Sequence, residues 1–152
     1  MNLTERLMAL WNSHSKTGLT ELYTADFAGL DVTDRTRVTG IEGLSRRLER
    51  IWQAFPDLKF DCAPPIEQDN RIALYWVARG TQQGIVLNIP PTGRKVAIHG
   101  LTLLRVQDDK INQSIQLWDM AGLLRDLGLL PELDYRAPQE PLSLKDLLPL
   151  WA

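Results

Sequence analysis

Proton-transfer chemistry needs a group that titrates near neutrality, or a carboxylate whose surroundings bring it there. The chain offers few such groups in suggestive places. It has two histidines, His14 and His99, and one cysteine, Cys62. The histidines are too far apart for an HExxH-type arrangement, and a lone cysteine supplies neither a disulfide nor a CxxC pair, so no metal site is expected. The two catalytic candidates are His99 and Asp119. His99 is the only histidine in the strand-forming half and can act as acid or base. Asp119 follows Trp118, and desolvation beside an indole can raise a carboxyl into the range of a useful base. Asp119 also stands just before an apolar helical run, where an N-cap aspartate is expected and capping alone explains it.

Binding candidates come from the tryptophans, of which there are five. Trp11 and Trp52 fall on apolar helical faces and suit a core. Trp76 and Trp118 lie in strand-like stretches and suit the wall of a cavity for an aromatic or terpenoid ligand. Tyr75 and Arg79 share one face of their strand and Trp76 takes the other, so only one set can face inward. By the same alternation His99 sits with Leu101 and Leu103 and against Thr102, on the face away from a pocket, unless a bulge at Gly100 reverses it.

The elements that must position these residues change character midway. Leu3, Leu7, Leu10 and Trp11 recur at helical spacing, and Gly18 suits the end of that helix. A short helix is expected over 19–23, followed by a turn at Ala25-Asp26-Phe27. A third helix carries Ile41, Leu44, Leu48, Ile51 and Phe55 on one face, with Thr39 and Glu42 spaced as a capping box and Pro56 as its stop. The Arg46, Arg47, Arg50 cluster reads as its solvated face. Beyond Pro56 the period is that of strands: 58–62, 71–81, 95–106 and 111–118, separated by turns at Pro90-Pro91-Thr92-Gly93 and Asp108-Asp109. A last helix over 120–127 ends at Gly128.

Helices followed by a run of antiparallel strands give an α+β layout: a cone-shaped, curved sheet, or half-barrel, packed on three N-terminal helices around a central pocket. The domain is expected over 1–130, with 131–152 as a proline-containing tail in which Leu142 to Trp151 is apolar enough to pack somewhere. Leu101 and Leu103, on one side of their strand, suit a partner subunit, and a homodimer is expected.

The totals agree with one domain. The chain has 152 residues, 44% hydrophobic and 24% charged, with 17 basic against 19 acidic side chains. That balance and the lack of a long basic run argue against nucleic acid or an anionic membrane as partner. No segment approaches the ~20 apolar residues of a membrane span, and the first residues lack a secretory pattern, so a cytoplasmic location is expected.

A series of short segments then becomes recognisable. Phe55-Pro56-Asp57-Leu58 is followed by Gly80-Thr81-Gln82-Gln83-Gly84 and by Ile89-Pro90-Pro91-Thr92-Gly93-Arg94. Asp109-Lys110-Ile111, Trp118-Asp119 and Leu123-Leu124-Arg125-Asp126-Leu127-Gly128 complete it. The series resembles the SnoaL-like polyketide cyclases, or ester cyclases, of the nuclear-transport-factor-2-like superfamily, over roughly Leu3 to Leu130. The resemblance implies an α+β barrel, frequent homodimers, no cofactor, and a hydrophobic small molecule as ligand. It also implies ring closure in a polyketide methyl ester by intramolecular aldol addition, in which a positioned carboxylate or imidazole moves the proton.

The chain departs from that pattern at both proton-handling positions. Gln116 stands where the family cyclases carry the acid/base aspartate, and Thr102 where a histidine assists. An amide cannot exchange a proton at neutral pH as a carboxylate can. With Tyr75, Trp76, Gln82 and Trp118, these two become substrate-binding candidates. Two readings follow: a cofactor-free cyclase or isomerase of altered chemistry, or a binding module that holds an apolar ligand in the same pocket.

Overall fold

A computed structural model describes residues 1–131 and 143–151. Helix α1 (Leu3–Ser13) opens on a capping box, in which Asn2 accepts from the Glu5 N–H and Glu5 accepts from the Asn2 N–H. It buries Leu7, Leu10 and Trp11. A single turn, α2 (Leu19–Leu22), leads into strand β1 (Tyr23–Asp31), which pairs with β2 (Thr36–Thr39). The turn expected at Ala25-Asp26-Phe27 is therefore the middle of a strand. Tyr23 and Phe27 are both buried and their rings meet edge-on at 4.9 Å, a spacing that helices and bulged strands share.

Helix α3 (Gly40–Ala54) has Thr39 as its N-cap, but the Thr39 side chain makes no capping bond. Thr39 is committed to pairing with Ala28, and Gly40 turns the chain at φ 69°, a left-handed conformation that glycine adopts without strain. The capping box expected there is thus absent.

The remaining strands are β3 (Lys59–Cys62), β4 (Ile66–Gln68), β5 (Arg71–Thr81), β6 (Lys95–Gln107) and β7 (Lys110–Trp118). Helix α4 (Met120–Asp126) follows β7 directly, and α5 (Leu144–Trp151) lies in the C-terminal tail. Leu142 lies outside the described residues.

Among the described residues the strands form one curved, open sheet in the order β2-β1-β7-β6-β5-β3, with β4 on the end of β5. The α+β class holds, with one correction. The sheet is mixed, because β1 runs parallel to β7. The early strands β1 and β2 interrupt the three helices and supply one wall of the cone. Inside it, Leu44, Leu48 and Trp52 of α3 and the buried face of α1 meet Phe27, Leu74, Trp76, Ile98 and Leu104 of the sheet. Burying such side chains contributes ~1.5–3 kcal/mol each.

Alternation decides what faces this core. On β6, Ile98, Thr102 and Leu104 are buried, while Leu101 and Leu103 are exposed. No bulge occurs at Gly100, which pairs in unbroken register with Trp76 and Trp118. Its lack of a side chain has a different cause: a Cβ there would overlap the Trp76 indole.

Candidate active site

The pocket lies between α1, α3 and the concave face of the sheet. Its floor is one cross-strand row. The β1–β7 register sets Asp31 beside Gln116, and the β6–β7 register sets Gln116 beside Thr102. Directly opposite residues on neighbouring strands lie ~5 Å apart, so Asp31 and Thr102 flank Gln116 across ~10 Å. Trp11, Leu44 and Leu48 close the space from the helix side, and Phe60 of β3 also lines it. The cavity measures about 70 Å³. Filled small-molecule sites occupy ~300–1,000 Å³, so a multi-ring ligand enters only by displacing wall side chains.

Asp31 is the carboxylate of this pocket, and its residue is only 3% exposed. The turn after β1 fixes it: Oδ1 accepts the Thr33 N–H at 3.0 Å and the Asp34 N–H at 3.2 Å. Thr33 in turn ties this turn to the end of β7. Its hydroxyl accepts the Trp118 N–H at 2.7 Å and donates to the Trp118 carbonyl at 2.9 Å. That places the Trp118 indole to donate Nε1–H to Asp31 Oδ2 at 2.9 Å. Arg47 of α3 donates to Asp31 and, at 3.2 Å, to Asp34. Burial pushes the Asp31 carboxyl above its ordinary value. The Asp34 N–H, the Arg47 charge and the Trp118 N–H pull the other way, and the Asp34 charge adds to the rise. Burial prevails: Asp31 is an ion-paired carboxylate whose neutral form is favoured beyond the usual.

Arg47 corrects the reading of the arginine cluster as a solvated face. Arg46 fits that reading, being exposed and paired at i,i+4 with Glu42. Arg47 follows Leu44 by three residues and precedes Ile51 by four, so helical geometry turns it to the apolar side. It lines the cavity with them.

The other residues singled out in the sequence disperse. Thr102 and Gln116 line the pocket. Trp76 and Trp118 stand behind it as indole donors: Trp76 Nε1–H donates to Thr102 Oγ1 at 2.9 Å, and Trp118 donates to Asp31. Tyr75 and His99 are on the other face, where the Tyr75 hydroxyl lies 2.7 Å from His99 Nδ1. Burial raises the Tyr75 phenol, and the Asp119 charge adds to the rise. Asp119 is exposed and caps α4, accepting the Gly122 N–H at 2.8 Å. Gln82 is fully buried and braces the 82–92 loop, donating to the Gly84, Ile89 and Pro90 carbonyls and accepting from Thr92. The structure therefore does not bring Asp119, His99, Tyr75 or Gln82 to the pocket.

Asp31 and Arg47 are what sequence reasoning missed. The signal was available, since Phe27, Gly29 and Asp31 alternate along one strand face beside a turn-forming Asp34. It was hidden by reading 25–27 as a turn.

Among the described residues no group of three or more His, Cys, Asp or Glu side chains is placed to hold a metal ion. No helix among them is long and apolar enough to cross a membrane.

No curated protein sequence matches the chain. Solved structures do. It is similar to AclR of Streptomyces galilaeus, a proposed hydroxylase, at 27% identity and TM-score 0.75, over 86% of this chain and 85% of that one. It is similar to IdmH of Streptomyces antibioticus, a proposed polyketide cyclase, at 25% identity and TM-score 0.73, over 83% of this chain and 96% of that one. A likeness to TsrD of Streptomyces laurentii, at 23% identity and TM-score 0.75 over 84% of this chain and 93% of that one, concerns the fold. The model of the SnoaL-like polyketide cyclases matches residues 2–127. With its open cone, its inward polar row and that match over nearly its whole length, the chain belongs to the SnoaL-like polyketide cyclase family.

Proposed function

We propose that the chain is a cofactor-free enzyme acting on a small, hydrophobic, polyketide-like molecule, with Asp31 as the group that carries the proton. The observation behind this reading is the buried Asp31 carboxylate on the pocket floor, raised by desolvation and next in register to Gln116. The position that resembles the family's acid/base aspartate is neutral here, and a carboxylate stands one strand away. Trp118 and Arg47 hold it in place, and a base with a raised pKa takes a proton more readily at neutral pH. Asp119 and His99 serve the architecture in this reading, as helix cap and outer-face residue.

A second reading has its own observation. Thr33, Asp34, Trp118 and Arg47 all donate to Asp31, and so fully bonded a carboxylate also fits a structural ion pair in a module that only binds. One experiment separates them: turnover of a panel of polyketide-type methyl esters and cyclic ketones by the native protein, Asp31→Asn and Asp119→Asn, with folding checked by thermal melting. The enzyme reading expects Asp31→Asn to lose ~10²–10⁴-fold while Asp119→Asn, if folded, stays near native. It also expects native turnover to rise with pH through a midpoint above the ordinary carboxylate range, because the base works ionised. A folded Asp31→Asn that keeps its rate removes Asp31 from the chemistry. No turnover, with a melting point that rises on adding a compound, assigns the binding role.

A homodimer through the outer face of the sheet is part of the same proposal. Its support is the stripe of Leu101, Leu103, Ile115 and Leu117, each 39–52% exposed. A cytoplasmic location is proposed as well, on the lone, half-buried thiol of Cys62, which burial pushes up to about 11. The tail 131–152 is proposed to pack on the domain or on a partner.

A further inference from the structure

We infer that the outer face of the sheet carries a second binding site, a groove headed by Arg71 and Arg105 that takes a small amphipathic carboxylate such as a medium-chain fatty acid. The groove lies on the opposite face of the sheet from Asp31 and is independent of the chemistry proposed there.

The groove has the size that the concave pocket lacks. It measures about 350 Å³, against about 70 Å³ inside the cone. Small-molecule sites span ~300–1,000 Å³, so an occupant of several carbons fits without displacing a wall. Its head is the pair Arg71 and Arg105, directly opposite each other in the β5–β6 register and both exposed. Side chains so placed stand ~5 Å apart at Cβ, where like charges are destabilising. Among the described residues neither arginine belongs to an ion pair, whereas Arg6, Arg46, Arg47 and Arg79 each do. Gln68 accepts from Arg71 at 3.5 Å and, being neutral, leaves the charge in place. Glu67 sits opposite the inward Ile72 and shares its face, so it points away from the groove.

The bed of the groove is the next outward row. Ile66, Ala73, Leu103 and Ile115 lie side by side across β4, β5, β6 and β7. Ile66, Leu103 and Ile115 are 46–50% exposed. Ala73 is the low point between Ile66 and Leu103, which makes the row an apolar trough. Two residues of strand, ~6.6 Å, separate it from the arginines. The occupant must therefore join a negative group to an apolar body within that reach. A carboxylate fits the head, because each guanidinium offers a planar fork of donors, and one anion between the two turns a repulsion into two attractions. The attached chain covers apolar surface that otherwise stays in water. Leu103 and Ile115 also belong to the stripe proposed as a subunit contact, so a second copy is the competing occupant. The two unmet charges favour the small anion, since the stripe itself brings no acid to them.

The test is the binding of octanoate, 1-octanol and octylammonium to the full chain, measured by isothermal titration calorimetry. The proteins are the native chain, the double variant Arg71→Gln with Arg105→Gln, Ala73→Leu, and Arg46→Gln as a control on another surface. The native protein is expected to bind octanoate ~10-fold or more tightly than octanol, with octylammonium weakest. The double variant should lose ~10–100-fold toward octanoate, about one charge-assisted hydrogen bond, and little toward octanol. Ala73→Leu fills the trough and should weaken both, while Arg46→Gln should match the native protein. The double variant should also melt no lower than native, because it removes a repulsion, so that lost binding is not lost folding. Native octanoate affinity in the folded double variant overturns the inference, since the carboxylate is then held elsewhere, as by Arg47 in the concave pocket. Equal affinity of the native protein for octanoate and octanol overturns it too. So does failure of the native protein to bind octanoate, and a dimer seen then in light scattering gives the groove to a second copy.

Discussion

The two faces of one sheet divide the polar groups in a way that residue type alone does not foretell. The concave face carries the row Asp31, Gln116 and Thr102, walled by Trp11, Leu44 and Phe60. The convex face, built from the intervening residues of the same strands, carries Tyr75 and His99 beside the exposed stripe Leu101, Leu103, Ile115 and Leu117. Judged by intrinsic acid/base character, His99 is the stronger candidate. Judged by surroundings, Asp31 is, because the cavity removes it from water and the face of His99 leaves it next to solvent. Environment outranks residue type here, since a pKa and an orientation can be set by desolvation and fixed donors.

The sharpest way to break this comparison is within one helix. Arg47→Met strips the charged partner from a buried carboxylate and is expected to cost ~3–5 kcal/mol, seen as a fall in the urea midpoint, because only the uncharged donors of Thr33, Asp34 and Trp118 remain to meet the charge. Arg46→Met, one residue earlier and exposed, should stay within ~0.5 kcal/mol. Equal effects would mean that the Asp31–Arg47 pair is solvated and the inner face is not special.

Next in size is Gly100→Ala. A methyl group pointing inward has no room beside the Trp76 indole, and overpacking costs ~1–3 kcal/mol in a packed interior. Thermal melting should show the loss. A neutral result would show that the Trp76 ring is free to move away and that its hold on Thr102 is loose.

Smallest in stability, although visible in assembly, is the outer face. Leu101→Lys together with Leu117→Lys should leave the protomer folded within ~0.5 kcal/mol per site and shift the proposed dimer to monomer in light scattering. If the native protein is already monomeric, the convex stripe is not a subunit contact.

The helical faces of 3–13 and 40–54, the strands 59–62, 71–81, 95–107 and 110–118 and the cap at Asp119 were readable because each rests on local periodicity or on a local bond, whereas the three-residue β4 was not expected. Alternation also placed His99 correctly opposite Thr102, and the short motifs pointed to the family. The strand 23–31 was not readable, because Tyr23 and Phe27 share a spacing that also fits a helix, and its main partner in the sheet, β7, lies far along the chain, Asp31 pairing with Gln116. With that strand went Asp31, and with Asp31 the meaning of Arg47. The sequence alone determined which residues alternate, where helices stop and which family the chain resembles, since neighbours along the chain suffice for each. Only the tertiary structure decided which face is the pocket and which carboxylate lies in it. Both depend on the parallel pairing of β1 with β7, a contact between distant segments that no local pattern encodes.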